Sequence, residues 1–356
     1  AMPVASNAQD TTSAIRGNVS APDGGPAAGV SVLITDTRTG STSRATTSSS
    51  GRFTVGSLAV GGPYTISLTS SNYASQSITD VIVGLGETFD FSVTLTAESI
   101  DEIVVTAALV QSAQVAIGPS SSFIFDEIQN LPSINRDIND IVRVDPRIYI
   151  DGGYVNAITC VGANPRFNSL TVDGVKKNDN FGLNSNGYPT QRMPFPFDSV
   201  QNVSVEMAPY AVQYGGFTAC NINAVTRAGT NDFHGTAWMS YGDSDLTGDK
   251  LEGDSIPQGE YDETRWGVSF GGPVIEDKLF FFAAYEKSDG ADTFDGCAGD
   301  ESCGRPVAGV TRAQLDRIAA IAEDYGYDVG DNPPSMPNED EKLLLRFDWN
   351  INEDHN

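Results

Sequence analysis

The segment Asp101-Glu102-Ile103-Val104-Val105-Thr106-Ala107 is where residue type and spacing first point to a chemistry, and that chemistry belongs to the backbone. Two acids precede a short β-branched run, and a stretch rich in Ala, Gln and Ser follows. A strand with so few neighbours cannot hold a sheet alone. Its backbone groups are therefore expected to be open for addition to another protein's sheet edge. The plainer reading of the same residues is a last strand of the preceding domain, or a linker.

Covalent chemistry rests on four cysteines, Cys160, Cys220, Cys297 and Cys303, which allow three pairings. None stands in a C-x-x-C pair, and with only His234 and His355 a zinc site is not expected. Cys297 and Cys303 bracket a short acidic loop suited to a local disulfide, while Cys160 and Cys220 lie beside glycine-rich turns and could staple the middle of the chain. Both pairs imply an oxidising compartment, and four reduced thiols are the alternative. Asp243, Asp245, Asp249 and Asp254 offer the hard oxygen donors that calcium takes, but their spacing does not match an EF-hand. No cofactor is expected, and calcium at those four acids is the one candidate. H-E-x-x-H does not occur and two isolated histidines offer little for a nucleophile–base pair, so no catalytic residue is expected and the chain does not read as an enzyme.

A formal net charge of -26 excludes nucleic acid as a partner, because no basic stripe exists to displace counterions from phosphates. The acids gather in 241–263 and 289–341, where solvated loops are the simplest account. No apolar run is long enough for a transmembrane helix. The opening Ala1-Met2-Pro3-Val4-Ala5 has neither the basic region nor the apolar core of a signal peptide.

The elements that must position these residues are mainly β. After a flexible start (1–14), residues 15–97 read as short strands with a turn signal every ten residues or so, which predicts a β-sandwich. Residues 98–114 form the segment above and its linker. Residues 115–230 read as an α+β domain with a short helix near Ile128–Val142, the turn Asp173-Gly174, and an alternating strand from Phe197 to Met207. Residues 231–356 hold four long strands joined by long, short and long connections, with Trp238, Tyr241, Trp266, Phe270, Tyr285 and Trp349 near strand ends. Long loops on one side, short turns on the other and aromatic girdles are features of outer-membrane barrels. Within the last long loop, Thr311 with Gln314 predicts a capping box opening a helix that Gly326 stops.

Several of these motifs carry a resemblance. Gly29-Val30-Ser31-Val32, Ser50-Gly51-Arg52-Phe53 and Gly62-Pro63-Tyr64-Thr65-Ile66 resemble the carboxypeptidase-regulatory-like family, which implies a transthyretin-like sandwich without catalysis. Asp101 to Ala107 resembles the TonB box of outer-membrane receptors. Phe167 to Val175, Gln213-Tyr214-Gly215-Gly216 and Asn221 to Thr230 resemble their plug, and Gly271 to Phe282 resembles the first hairpin of the Oar-like branch. The resemblance implies a TonB-dependent outer-membrane transporter with its N-terminal domain in the periplasm. It further implies TonB, with ExbB and ExbD, pairing at Asp101, Glu102, Ile103, Val104, Val105, Thr106 and Ala107. The expected cargo is bulky: a peptide, protein, glycan or metal chelate, with no ligand residue assigned.

A SusC-like glycan or peptide importer with a surface lipoprotein partner is the alternative within the superfamily, and a cell-surface adhesion or structural β-protein the alternative outside it. A complete barrel of this family has about 22 strands, so the chain is expected to be the N-terminal part of a longer protein embedded in outer-membrane lipid.

Overall fold

The computed structural model describes residues 11–97, 103–106, 111–115, 119–133, 135–151, 156–179, 181–184, 187–190, 192–207, 215–248, 250–255, 261–293, 296–301, 303, 305–330 and 335–351. The chain divides into two compact units. One is Ala1–Gly235 with Ser269–Ala284 and Leu344–Asn356, and the other is Thr236–Val268 with Tyr285–Leu343.

The first unit opens with a sandwich of β1 (Thr12–Ser20), β2 (Ser31–Asp36), β3 (Thr42–Thr46), β4 (Arg52–Ala59), β5 (Gly61–Thr69), β6 (Gln76–Val83) and β7 (Thr88–Thr94). Alternation sets its core. Ile15, Gly17, Val19, Val32, Ile34, Ile66, Leu68, Phe89 and Phe91 turn inward, while the residues alternating with them stay wholly or partly in solvent. Phe53 meets Phe91 edge to face at 5.9 Å. Gly17 passes under this pair, and a Cβ there would lie 2.2 Å from the Phe53 ring.

Two further strands join this sandwich from the linker. β8 (Ile103–Thr106) and β9 (Gln111–Val115) end the sheets β3-β2-β5-β6-β8 and β4-β1-β7-β9. The segment expected to stand with open backbone groups is thus paired along one side.

The plug-like part follows with β10 (Ser120–Ile124), α1 (Phe125–Asn130), α2 (Ile138–Val142), β11 (Ile148–Asp151), β12 (Ala157–Cys160), β13 (Ser169–Val172), β14 (Val175–Lys176), β15 (Val200–Glu206) and β16 (Asn221–Thr226). Its sheet runs β10-β15-β16-β13-β14, with β13 and β16 parallel. β13 and β16 are buried at every residue, and β15 at all but Gln201. The Asp173-Gly174 turn joins β13 to β14 with both residues at positive φ, the geometry of a two-residue hairpin. The two disulfides are Cys160–Cys220 and Cys297–Cys303, the pairs favoured from their settings.

The long strands are β17 (His234–Asp243), β20 (Asp262–Ile275), β21 (Leu279–Thr293) and β24 (Ser335–Trp349), ordered in one sheet as they occur in the chain. Short pieces lie between them: β18 (Lys250–Leu251), β19 (Asp254–Ser255), β22 (Gly296–Ala298), β23 (Arg305–Val307) and the helix α3 (Arg312–Asp324). Thr311 and Gln314 form the expected capping box on α3. Burial on β20 and on the end of β24 is inverted relative to a soluble sheet, while β21 buries Phe280 and Phe282. On β24 Leu343, Leu345, Phe347 and Trp349 are exposed, while Lys342, Leu344, Arg346 and Asp348, which alternate with them, are half-buried. On β20 Trp266, Val268 and Phe270 face out, and Gly267, Ser269 and Gly271 face in. Apolar residues outside and polar or small ones inside suit a wall whose outer solvent is lipid.

Candidate coupling site

The site is built from the strand Ile103–Thr106, the sheet edge that holds it, and the path from it to the plug. β8 pairs in parallel with β6, Gln76 opposite Ile103, Ser77 opposite Val104, Ile78 opposite Val105 and Thr79 opposite Thr106. Val104 is 64% exposed and Val105 half-buried. β8 is the last strand of its sheet, so among the described residues its other edge has no strand partner. Of the seven candidate residues, Asp101, Glu102 and Ala107 lie outside the described residues.

Five residues past β8, β9 pairs antiparallel with β7, from Ser92 opposite Gln111 to Thr88 opposite Val115. Nothing in the sequence marks β9: Gln111-Ser112-Ala113-Gln114-Val115 has no apolar alternation, and its partner strand alone places it.

The plug-like part begins at β10, which is held by an ion pair whose carboxylate is buried and whose guanidinium is exposed. Asp145 accepts from Arg147 Nε at 2.9 Å and Nη2 at 2.6 Å, and from the Ser121 hydroxyl on β10. Arg147 Nη2 also donates to the Ser120 carbonyl at 3.2 Å. The Arg147 hydrogen bond holds the Asp145 carboxyl down to about 2, against the opposing effect of burial.

The sandwich is tied to the strand turns of the same unit. The Asn231 backbone N–H donates to the Arg38 carbonyl at 2.8 Å, and Asn350 Nδ2 donates to Ser41 Oγ at 2.8 Å. Asn231 and Asp277 exchange two hydrogen bonds, at 2.8 and 2.9 Å. The Arg38 side chain is fixed by the buried Asp36, at 3.0 Å from Nε and 2.7 Å from Nη2. Burial raises the Tyr64 hydroxyl above its ordinary value, and the Asp36 charge adds to it. Around these groups a cleft of about 1170 Å³ is lined by Asp36, Arg38, Gln201, Arg227, Asp277 and Arg346, among others. Arg38 and Arg346 there are paired with Asp36 and Asp348, which suits an internal joint better than a ligand pocket.

The plug's last strand meets the long strands through two arginines. Arg346 on β24 donates to the Thr226 carbonyl at 2.7 Å and lies 3.9 Å from Asp173. Arg227 lies over the rings of Phe125 and Phe282, at 4.4 and 5.2 Å.

The four candidate calcium acids are not drawn together among the described residues. Asp243 accepts from the Asp245 backbone N–H at 2.8 Å and from Tyr241 Oη at 2.6 Å, while Asp249 lies outside the described residues. Among the described residues no group of three or more His, Cys, Asp or Glu could hold a metal.

Residues 14–96 match the carboxypeptidase regulatory-like domain, and residues 225–293 match an outer membrane beta barrel domain. Over 279 residues the chain is 26% identical to the TonB-dependent transporter Oar of Myxococcus xanthus, covering 74% of this chain and 25% of that protein. The chain is similar to the TonB-dependent transporter Oar over most of its length. It spans about a quarter of the length of that curated relative. Similar solved structures include the outer-membrane transporter YddB from Escherichia coli, at TM-score 0.45 and 15% identity, covering 66% of this chain and 31% of that one. Another is the siderophore receptor PirA from Acinetobacter baumannii, at TM-score 0.38 and 23% identity, covering 49% and 25%. The match at residues 225–293 places the chain in the outer membrane.

Proposed function

We propose that this chain is the N-terminal, energy-receiving part of a TonB-dependent outer-membrane transporter for a bulky ligand such as a peptide, protein, glycan or metal chelate. The observation that carries this reading is the strand Ile103–Thr106, presented at a sheet edge with Val104 in solvent, ahead of a plug and barrel strands. TonB, driven by ExbB and ExbD, adds a strand to the open edge of β8 in the periplasm. Main-chain hydrogen bonds supply the grip. A pull then loosens the plug inside a barrel of higher stability.

Consecutive residues of a strand direct their N–H groups to opposite edges. Of Val104 and Val105, therefore, one serves β6 and the other serves the open edge. Proline removes that N–H. The test is binding of the TonB periplasmic domain to the full chain and to Val104→Pro and Val105→Pro. One variant is expected to lose binding and the other to loosen β8 from β6. Unchanged binding by both would refute the reading.

A further inference from the structure

The linker is more than a tether. We infer that β8 and β9 together form a strap which grounds a pull on the sandwich, so that tension reaches the plug only after β9 is stripped from β7. This inference rests on the coupling reading above.

The geometry is a series arrangement. Force applied at Ile103–Thr106 can travel to the plug along one covalent route, through Gln111–Val115 and then to β10 at Ser120. On that route β9 is paired with β7, and β7 sits inside its sheet between β1 and β9. β7 is fixed in the core by Phe89 and Phe91, and pairs in parallel with β1 from Ala14 opposite Thr88 to Ser20 opposite Thr94. The sandwich is itself held at the strand turns, through Arg38 with Asn231 and Ser41 with Asn350. While β9 stays paired, a pull on β8 is therefore borne by the sandwich and those turns, and β10 carries none of it.

The direction of loading makes the strap releasable. Tension enters β9 at its N-terminal end, so the pair Ser92 and Gln111 is loaded first and Thr88 and Val115 last. Pairs loaded in turn break in sequence, at lower force than a strand sheared along its whole length. Beyond β9 the next resistance is of another kind: the hydrogen-bonded Asp145–Arg147 pair that holds Ser120 and Ser121 of β10. The chain thus has a weak catch ahead of a strong one. Brief or misdirected tugs are absorbed at the strap, and sustained tension goes on to the plug.

The test uses the full chain in detergent, anchored at its C-terminus and pulled through a handle on Val104→Cys, whose side chain is exposed. Release of the chain between the handle and β10, 16 residues from Val104 to Ser120, is expected as a first extension of at most about 56 Å, from roughly 3.5 Å per residue, before any plug opening. In a second version Ser92→Cys and Gln111→Cys are joined by a short bis-maleimide after the handle is attached. That first extension is then expected to vanish, and plug opening to be lost at forces that open the unjoined protein. Plug opening without a preceding step, or opening unchanged by the cross-link, would overturn the inference. Because the handle replaces TonB, the outcome stands apart from the binding assay, whose failure would sink the coupling reading alone.

Discussion

Arg346 of β24 donates to the main-chain carbonyl of Thr226, the last residue of the plug sheet, at 2.7 Å. The same guanidinium is paired with Asp348 at 2.7 Å on its own strand. A side chain on a long strand thus grips the backbone where the plug ends. Replacing Arg346 with Met removes the donor and leaves Asp348 without its partner. Loss of a hydrogen bond to a charged group costs roughly 2 kcal/mol. Amide exchange on β16 should speed up accordingly, while exchange on the sandwich strands should not change.

Gly229 sits just past that joint, and a Cβ there would lie 2.3 Å from the Phe281 carbonyl oxygen and 2.9 Å from that of Gly272. Both obstacles are backbone and cannot swing aside. Gly229→Ala is expected to cost about 3 kcal/mol through overpacking, read as a lower yield of folded protein in the outer membrane. A normal yield would show that the strands can separate there at little cost.

The Asp145–Arg147 pair gives the plug a pH dependence of definite sign. The folded carboxyl is held below its unfolded value, down to about 2. Its contribution is therefore complete above the ordinary carboxylate range near pH 4 and lost as pH falls toward 2. Exchange at β10 should accelerate through that window. Arg147→Met should raise the carboxyl and shift the acceleration to higher pH.

The two disulfides should differ in weight. Closing a loop across 60 residues is worth about 4 kcal/mol in the chain-entropy account, and closing one across 6 about 2. The pair Cys160→Ser with Cys220→Ser should lower the plug's melting midpoint. The pair Cys297→Ser with Cys303→Ser should leave the plug unmoved and only speed proteolysis of its own loop.

Much of this architecture was legible in the sequence, where one physical cause dominates each element. Strict alternation in Tyr64-Thr65-Ile66-Ser67-Leu68 marks a half-buried strand, and the structure buries Tyr64, Ile66 and Leu68. Asp173-Gly174 marks a turn because few other pairs tolerate two positive φ values in succession. Thr311 and Gln314 mark a helix start by a local hydrogen-bond exchange. What could not be read was pairing at a distance. Gln76 opposite Ile103 and Ser92 opposite Gln111 join strands of short or weakly patterned sequence, and such pairing follows from the edge that awaits them. The joint residues Arg38, Asn231 and Asn350 escaped notice for the same reason, since each acts through partners far along the chain.

The two strands of the linker also settle where the first folding unit stops. Without them, the outer rows of N–H and C=O groups on β6 and β7 would both face water, and a bare strand edge recruits whatever strand is nearest, including its own copy. A domain cut after Ala97, where the motif of the sandwich runs out, would carry two adhesive flanks and clump on isolation. A cut after Val115 would cover both of these rows and leave the short outer edges of β8 and β9 in their place. In physical terms the linker is this domain's hem, and the domain is finished only when the hem is on.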